Sequence, residues 1–394
     1  MNQDFHDLVT PSCTLLGLGE PTHQEPAFGR IRNTLLAGLA DRGFRSVALE
    51  TDRLAALRVD AYVQGGADSL DAVLAEGFSH GFGALDANRE LVAWMRDHNA
   101  GRPAAERLAF HGFDIPTENY SAPSPRAALE HVRAYLGLAP GTPETPEDAD
   151  RFARLLGDDE HWSRQEAVLD AAQSPGATPE AERARALADD LVVTLHSRAP
   201  ELIAATSLAA WRRAKAHLAA AIGLLRYHRQ CAEPGEPGAR ITRLLATRDA
   251  LMAENLLAVR EAEELRGPTL VFAHNLHLQR SPSAWTAGEL SATWSSAGGI
   301  VGSLLGDRYV CVAGSVGRSA ALGLTDPGPD TYEGALQHRV DGWGTVRADE
   351  VPDGRGRTGA EPAKGYFPLD RATLDGVDAV LHLRDAGAVG ASAR

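Results

Sequence analysis

Four short, almost unbroken apolar stretches constrain this chain most, because each stops at an acidic or imidazole side chain. Leu15-Leu16-Gly17-Leu18-Gly19 delivers Glu20 and, past Pro21 and Thr22, His23. Ser46-Val47-Ala48-Leu49 ends on Glu50, and Leu108-Ala109-Phe110-His111-Gly112-Phe113 ends on Asp114. Thr269-Leu270-Val271-Phe272-Ala273 delivers His274-Asn275-Leu276-His277. Brief apolar runs bounded by breakers read as buried strands. Helical patterns separate the first three. Pro26 opens one that continues through Phe28, Ile31, Leu35, Leu36 and Leu39; Asp52 caps a second, to about Val63; a third spans about Leu85 to His98. The expected fold is α/β, a mostly parallel central sheet flanked by helices. Parallel strands put their carboxyl ends on one rim, where ligands bind in open α/β sheets.

Between about Pro123 and Gly238 strand propensity disappears and Ala, Leu, Glu and Arg dominate. This predicts a large all-helical insertion, its longest helices near Pro179–Ser197 and Glu201–Cys231. Residues 1–122 and 238–394 then form an α/β core carrying the motifs, with 123–237 covering the cleft. A helix over about Ala239 to Leu265 places Arg248, Met252 and Asn255 on one face. A glycine-rich helix near Gly298–Leu305, a strand at Tyr309–Gly314 and a last strand at Val377–Leu383 complete the pattern. No element is assigned between Asp326 and Pro368, where a substrate-facing loop is expected.

An imidazole beside a carboxylate can deprotonate water near neutral pH, and the carboxylate fixes the imidazole's tautomer. A single Glu or His at a strand end reads equally well as a cap. The same chemistry at four strand ends points to a site instead. Two other readings are open, the first on the same residues and the second elsewhere in the chain. His23, His274 and His277 with a Glu have the ligand types of an open zinc site, although i, i+3 histidines are not the helical zinc spacing. Ala313-Gly314-Ser315-Val316-Gly317 approximates a nucleophile elbow after a strand, with His338 or His382 downstream to complete a Ser-acid-His order. Arg32 and Arg248 are candidate fixed cations for a carboxylate or an oxyanion.

The formal charge of −14 is the wrong sign for a nucleic-acid or anionic-membrane partner. The three cysteines, Cys13, Cys231 and Cys311, are widely spaced and read as free thiols of a reducing compartment. The polar, acidic start lacks the pattern of a signal peptide, and no run reaches the roughly 18 apolar residues of a membrane span. A cytoplasmic protein acting on a small molecule is expected, without a nucleic-acid or membrane partner; these features fix no oligomeric state.

Taken together, Gly19-Glu20-Pro21-Thr22-His23 with Arg32, Val47-Ala48-Leu49-Glu50, Leu91 to Asn99, Phe110 to Asp114, Arg248-Asp249 with Met252, Glu254 and Asn255, and Ala273 to His277 resemble the erythromycin esterase family. The motifs lie in family order on both flanks of the helical insertion. The resemblance implies an α/β core, a helical insertion and a cleft between them. It also implies hydrolysis of a lactone or ester, a macrolide or related natural product, by water activated at a histidine base without a serine nucleophile. The base would be His23, with Glu20, Glu50, His274 and Arg32 as partners. His277, Asp114, Arg248, Asn275 and Gln24 are assigned to the substrate, and no cofactor or metal is expected. Gln24 replaces a usual glycine beside the base, and Pro26-Ala27-Phe28 replaces a more aromatic stretch, changes that narrow or repolarise the pocket. The same base could instead serve a natural-product tailoring enzyme performing a cyclisation, elimination or acyl transfer. A ligand-sequestering protein is the reading from outside enzymology.

Overall fold

The computed structural model describes residues 5, 7–118, 120–137, 153–358 and 365–389. Seven strands form one sheet: β1 (Leu15–Glu20), β2 (Ser46–Asp52), β3 (Ala109–Asp114), β4 (Thr269–His274), β7 (Tyr309–Arg318), β8 (Trp343–Arg347) and β9 (Ala379–Asp385). Their order is β3-β2-β4-β1-β7-β9-β8, all parallel except β8, which pairs antiparallel with β9 at one edge. The mostly parallel α/β sheet expected from the sequence is therefore the architecture of the chain.

Every residue of β1 and β4 is buried, because helices cover both faces. One face packs Leu16, Leu18, Val47, Leu49, Leu270 and Phe272 against α1 (Pro26–Ala40), α2 (Arg53–Val63) and α3 (Asp86–Asn99). The other packs Leu15, Ala48, Val271, Ala273 and Cys311 against a long helix (Pro237–Glu263) and a shorter one (Ala297–Leu305). Alternate residues of each strand face opposite helical layers, as the two-residue pleat requires.

Between these layers the chain runs through α4 (Arg126–Tyr135), α5 (Pro179–Ser197) and α6 (Leu208–Cys231), then into the long helix Pro237–Glu263, α7. Helices α4, α5 and α6 share an apolar cluster of their own around Leu129, Val132, Trp162, Leu191 and Leu218. The single helix expected over Glu201–Cys231 is two: Ala199–Ala205 ends, and Ser207 restarts α6 by accepting the Ala210 N–H at 3.1 Å. Strands also fall where none was expected. A hairpin, β5 (Ser283–Ala287) and β6 (Leu290–Trp294), follows β4, and β8 lies inside the unassigned 326–368 stretch.

Connections from β1 and β4 leave toward opposite faces, to α1 and to Ala297–Leu305 (α9, after the short α8 at Asn275–Leu278). Adjacent parallel strands whose crossovers diverge leave a crevice at their carboxyl ends. Glu20 and His274 are direct register partners at that crevice. Beside them, the β2–β3 register shifts between Leu49 and Asp52. Such an irregularity re-aims a side chain at a strand end, and here the residues inside it are Glu50 and Thr51.

Candidate active site

His23 sits on the loop that leaves β1. Its Nδ1 lies 2.8 Å from Glu20 Oε1 and its Nε2 3.6 Å from Glu50 Oε1. The first contact is a hydrogen bond; the second exceeds hydrogen-bond length and is electrostatic. Glu50 is pinned from three more directions. The His274 backbone N–H donates to its Oε2 at 2.8 Å, Arg248 Nη2 donates to Oε1 at 3.2 Å, and His277 Nε2 lies 3.3 Å from Oε1.

These contacts set the protonation states. Burial opposes the charge on Glu50, but His277, His23 and Arg248 outweigh it and hold the carboxyl at about 2. Burial likewise opposes the cation on His23, yet Glu50 and Glu20 raise it to about 9. Glu20 moves upward because burial outweighs the stabilising contact of His23. The Glu20–His23 pair thus holds a proton tightly, mainly on the imidazole.

A second layer orients the first. Arg248, on α7, donates from Nε and Nη2 to the two oxygens of Asp114 at 3.0 and 2.5 Å. Asp114 also lies 3.0 Å from His80 Nε2, and its carboxyl is held far below the usual range: burial raises it, but Arg248 and His80 dominate. His277 donates from Nδ1 to Asp249, 2.9 and 3.1 Å from the two oxygens. Asp249 is fully buried and also accepts from Trp294 Nε1 at 2.9 Å and the Ala297 N–H at 2.8 Å. The unexpected hairpin thereby supplies one of the donors that fix Asp249.

A cavity of about 280 Å³ opens on the α1 side of His23. Glu20, His23, Glu50 and Arg32 give it a polar floor, while Leu49, Phe82, Leu85, Ala87 and Phe272 line its walls. The His23 side chain is surrounded by protein yet keeps 33% of its surface exposed, and it is itself part of the cavity lining.

The family model described as erythromycin esterase matches residues 39–393. The chain belongs to the erythromycin esterase family. Solved structures share the fold at low identity. A protein of Bacillus cereus superposes with a TM-score of 0.71 at 17% identity, covering 97% of this chain and 91% of that one. A succinoglycan biosynthesis protein gives 0.69 at 16%, with 97% and 90% covered. A mutant of the erythromycin esterase EreC in its open conformation gives 0.65 at 19%, with 98% and 94% covered. No curated protein sequence matches the chain. At the level of the family, the chain is an esterase-like hydrolase, and no helix among the described residues is long and apolar enough to cross a membrane.

Of the residues singled out in the sequence, the erythromycin esterase fold gathers Glu20, His23, Glu50, Asp114, Arg248 and His277 into one network. His274 stands beside it, its ring centroid 5.5 Å from that of His23. Its Nδ1 accepts the Leu276 N–H and its Nε2 donates to the Pro21 carbonyl, so burial keeps it neutral, at about 3, with no free lone pair. Asn275 turns away from the cavity and bridges the backbone of Gly314, donating to its carbonyl at 2.9 Å and accepting its N–H at 2.8 Å. Gln24 is exposed and outside the cavity lining. Arg32 lines the cavity, but its guanidinium is tied to Asn33, Asn88 and the Ala87 carbonyl and lies 4.9 Å from the Phe272 ring.

The two rival sites fare differently. Ser315 and His382 do meet, Oγ donating to Nδ1 at 3.0 Å, but His382 donates onward to Gln337, not to a carboxylate. Both are buried, 2% and 0% exposed, and neither lines the cavity, so a substrate carbonyl has no approach. For a metal, the backbone contacts of His274 occupy the lone pair a ligand must offer. No group of three or more His, Cys, Asp or Glu among the described residues is arranged to hold an ion.

Asp249, His80, Phe82 and Asn88 were not singled out as site residues in the sequence. Asp249 follows Arg248 directly, and the pair was a legible signal. His80 had only its place before Gly81 in a loop.

Proposed function

We propose that the chain hydrolyses an ester or lactone of a natural-product type, with His23 as the base that activates water. The observation that carries this reading is the position of His23: Nδ1 on Glu20, Nε2 free of any short contact and 3.6 Å from Glu50, beside an open cavity. In its neutral form His23 donates Nδ1–H to Glu20 and offers the Nε2 lone pair. A water held between Nε2 and Glu50 loses a proton to Nε2 as its oxygen attacks the carbonyl carbon. The tetrahedral oxyanion forms near the Arg32 guanidinium, which adds positive charge to the cavity floor. On collapse the ester C–O bond breaks, and the imidazolium returns its proton to the departing alkoxide. The products are an acid and an alcohol, with the mass of one water added.

The cavity volume bears on the substrate. Pockets that enclose a drug-sized ligand are about 300–1,000 Å³, so a cavity of about 280 Å³ encloses the reacting ester and its nearest substituents, leaving a large ring outside. The test is a panel of p-nitrophenyl esters, simple lactones and macrolides, with products read by mass. His23→Ala should lose about 10²-fold or more, while Ser315→Ala should retain activity. Near-normal turnover by His23→Ala overturns the reading. Products whose mass shows no added water would point instead to cyclisation or another non-hydrolytic reaction.

A further inference from the structure

His80 is the one non-glycine residue with a positive φ, +58°, among the described residues. A histidine adopts this left-handed conformation only when its surroundings impose it. Here they do so by three contacts. Its backbone N–H donates to Glu118 Oε1 at 2.6 Å, its Nδ1 lies 2.9 Å from Glu118 Oε2, and its Nε2 lies 3.0 Å from Asp114 Oδ2. Contacts from both ring nitrogens to carboxylates call for the doubly protonated ring. Burial opposes that form, and Asp114 and Glu118 favour it against the nearby Arg248. Asp52 is the other titratable group in electrostatic contact with the ring.

The loop that carries His80 forms one wall of the cavity. Ser79 is fastened to the end of β2, donating from its N–H to Thr51 Oγ1 at 2.8 Å and accepting the Asp52 N–H at 2.9 Å. Gly81 continues in the left-handed region at φ +71° and turns the chain so that Phe82 faces inward. The Phe82 ring lies 5.4 Å from that of His80 and 4.9 Å from that of His23, centroid to centroid. Its carbonyl accepts from Asn88, which in turn holds Arg32. Phe82, Ala84 and Leu85 all line the cavity.

We propose that His80, clamped between Asp114 and Glu118, is a positioning residue that holds Phe82 against His23 and thereby sets the width of the cavity. Glu118 is the solvent-facing half of the clamp, with 52% of its side chain exposed, while Asp114 is the buried half and also anchors Arg248. One residue therefore ties the cavity wall to the charge network that holds Glu50. Releasing it should widen the cavity while leaving His23, Glu20 and Glu50 on their own strand ends.

As a statement about substrate size this rests on the esterase reading, so the test has one arm that uses turnover and one that does not. The proteins are wild type, His80→Ala, His80→Asn and Glu118→Gln, each checked for native unfolding by urea. The probes are p-nitrophenyl acetate and p-nitrophenyl octanoate. Asparagine tolerates the left-handed backbone but cannot bridge both carboxylates as a cation. His80→Ala and His80→Asn should therefore both raise the octanoate-to-acetate ratio of kcat/KM about tenfold, chiefly through a higher KM for acetate, and Glu118→Gln should move it the same way by less. Amide hydrogen exchange over residues 79–85 should quicken about tenfold in both His80 variants, with the strands unaffected. A His80→Asn protein with wild-type selectivity and exchange overturns the proposal, as does an equal loss of kcat on both esters with unchanged exchange. If wild type turns over neither ester, the exchange arm alone decides the clamp, and the esterase reading is decided separately by the lactone and macrolide panel.

Discussion

Arg248 grips Asp114 at two points, 3.0 and 2.5 Å, and the same guanidinium reaches Glu50 at 3.2 Å. One cation thus neutralises two buried carboxylates from the ends of neighbouring strands. The arginine is only 21% exposed and Asp114 not at all. Removing one partner of such a group leaves charge buried without compensation, which costs about 3–5 kcal/mol. Arg248→Ala should lose stability of that order in urea unfolding. Arg248→Lys should recover only part of it, because a point charge does not reproduce the planar two-point contact.

Turnover should carry the signature of the two carboxylates around His23. They hold its imidazolium to about pH 9, and only the neutral ring can accept a proton. The rate should therefore rise with pH, reach half its maximum near 9, well above an ordinary histidine, and level off beyond that. Glu20→Gln removes one source of the upward shift, so the limb should move to lower pH while the plateau falls. A pH series of kcat/KM on one ester for both proteins measures this; an unmoved limb would mean that another group titrates.

Stability should depend on pH through the same cluster. Glu50 lies near 2 in the folded chain, against about 4.3 unfolded. Its contribution is therefore fully present above about 4.3 and lost as pH falls through 2. His23 lies near 9, against about 6.5 unfolded, so its contribution is present below about 6.5 and lost as pH rises through 9. Both are fully present together only between about pH 4.3 and 6.5. Urea midpoints should show the largest gap between wild type and Glu50→Gln in that window, and a smaller gap near pH 2 and above pH 9.

Asn275 is the structural keystone under the β1 loop. Both its amide atoms serve the backbone of Gly314, and a side chain on Gly19 would put a Cβ 2.1 Å from its Oδ1. Asn275→Ala leaves a buried N–H and C=O unpaired at about 1–3 kcal/mol each, and Gly19→Ala forces the amide out of place. Each should lower the thermal midpoint. Each should also reduce kcat more than it raises KM, because the strand ends carrying His23 and His277 lose their spacing.

The apolar runs were legible because burial on both faces demands unbroken apolar strands, so Glu20, Glu50, Asp114 and His274 could be placed on one rim before any contact was known. The capped helix starts at Pro26 and Asp52 were legible for the same local reason. Strand β8 escaped because an edge strand paired on one side needs little apolar pattern: Trp343-Gly344-Thr345-Val346-Arg347 is only half buried. The break before α6 escaped because Ser207 is one polar residue in an otherwise helical run.

Sequence alone thus determined the layered fold, the rim and the chemical types gathered on it, since each follows from local propensity and the period of burial. It could not decide orientation. Only the tertiary structure turned Asn275 inward to Gly314, closed both nitrogens of His274 with backbone, buried Ser315 beyond reach and brought Asp249 and His80 to the network. Those outcomes depend on which groups from distant segments meet in a low-dielectric crevice, where every buried polar atom must find a partner. That partner choice is a property of the packed whole.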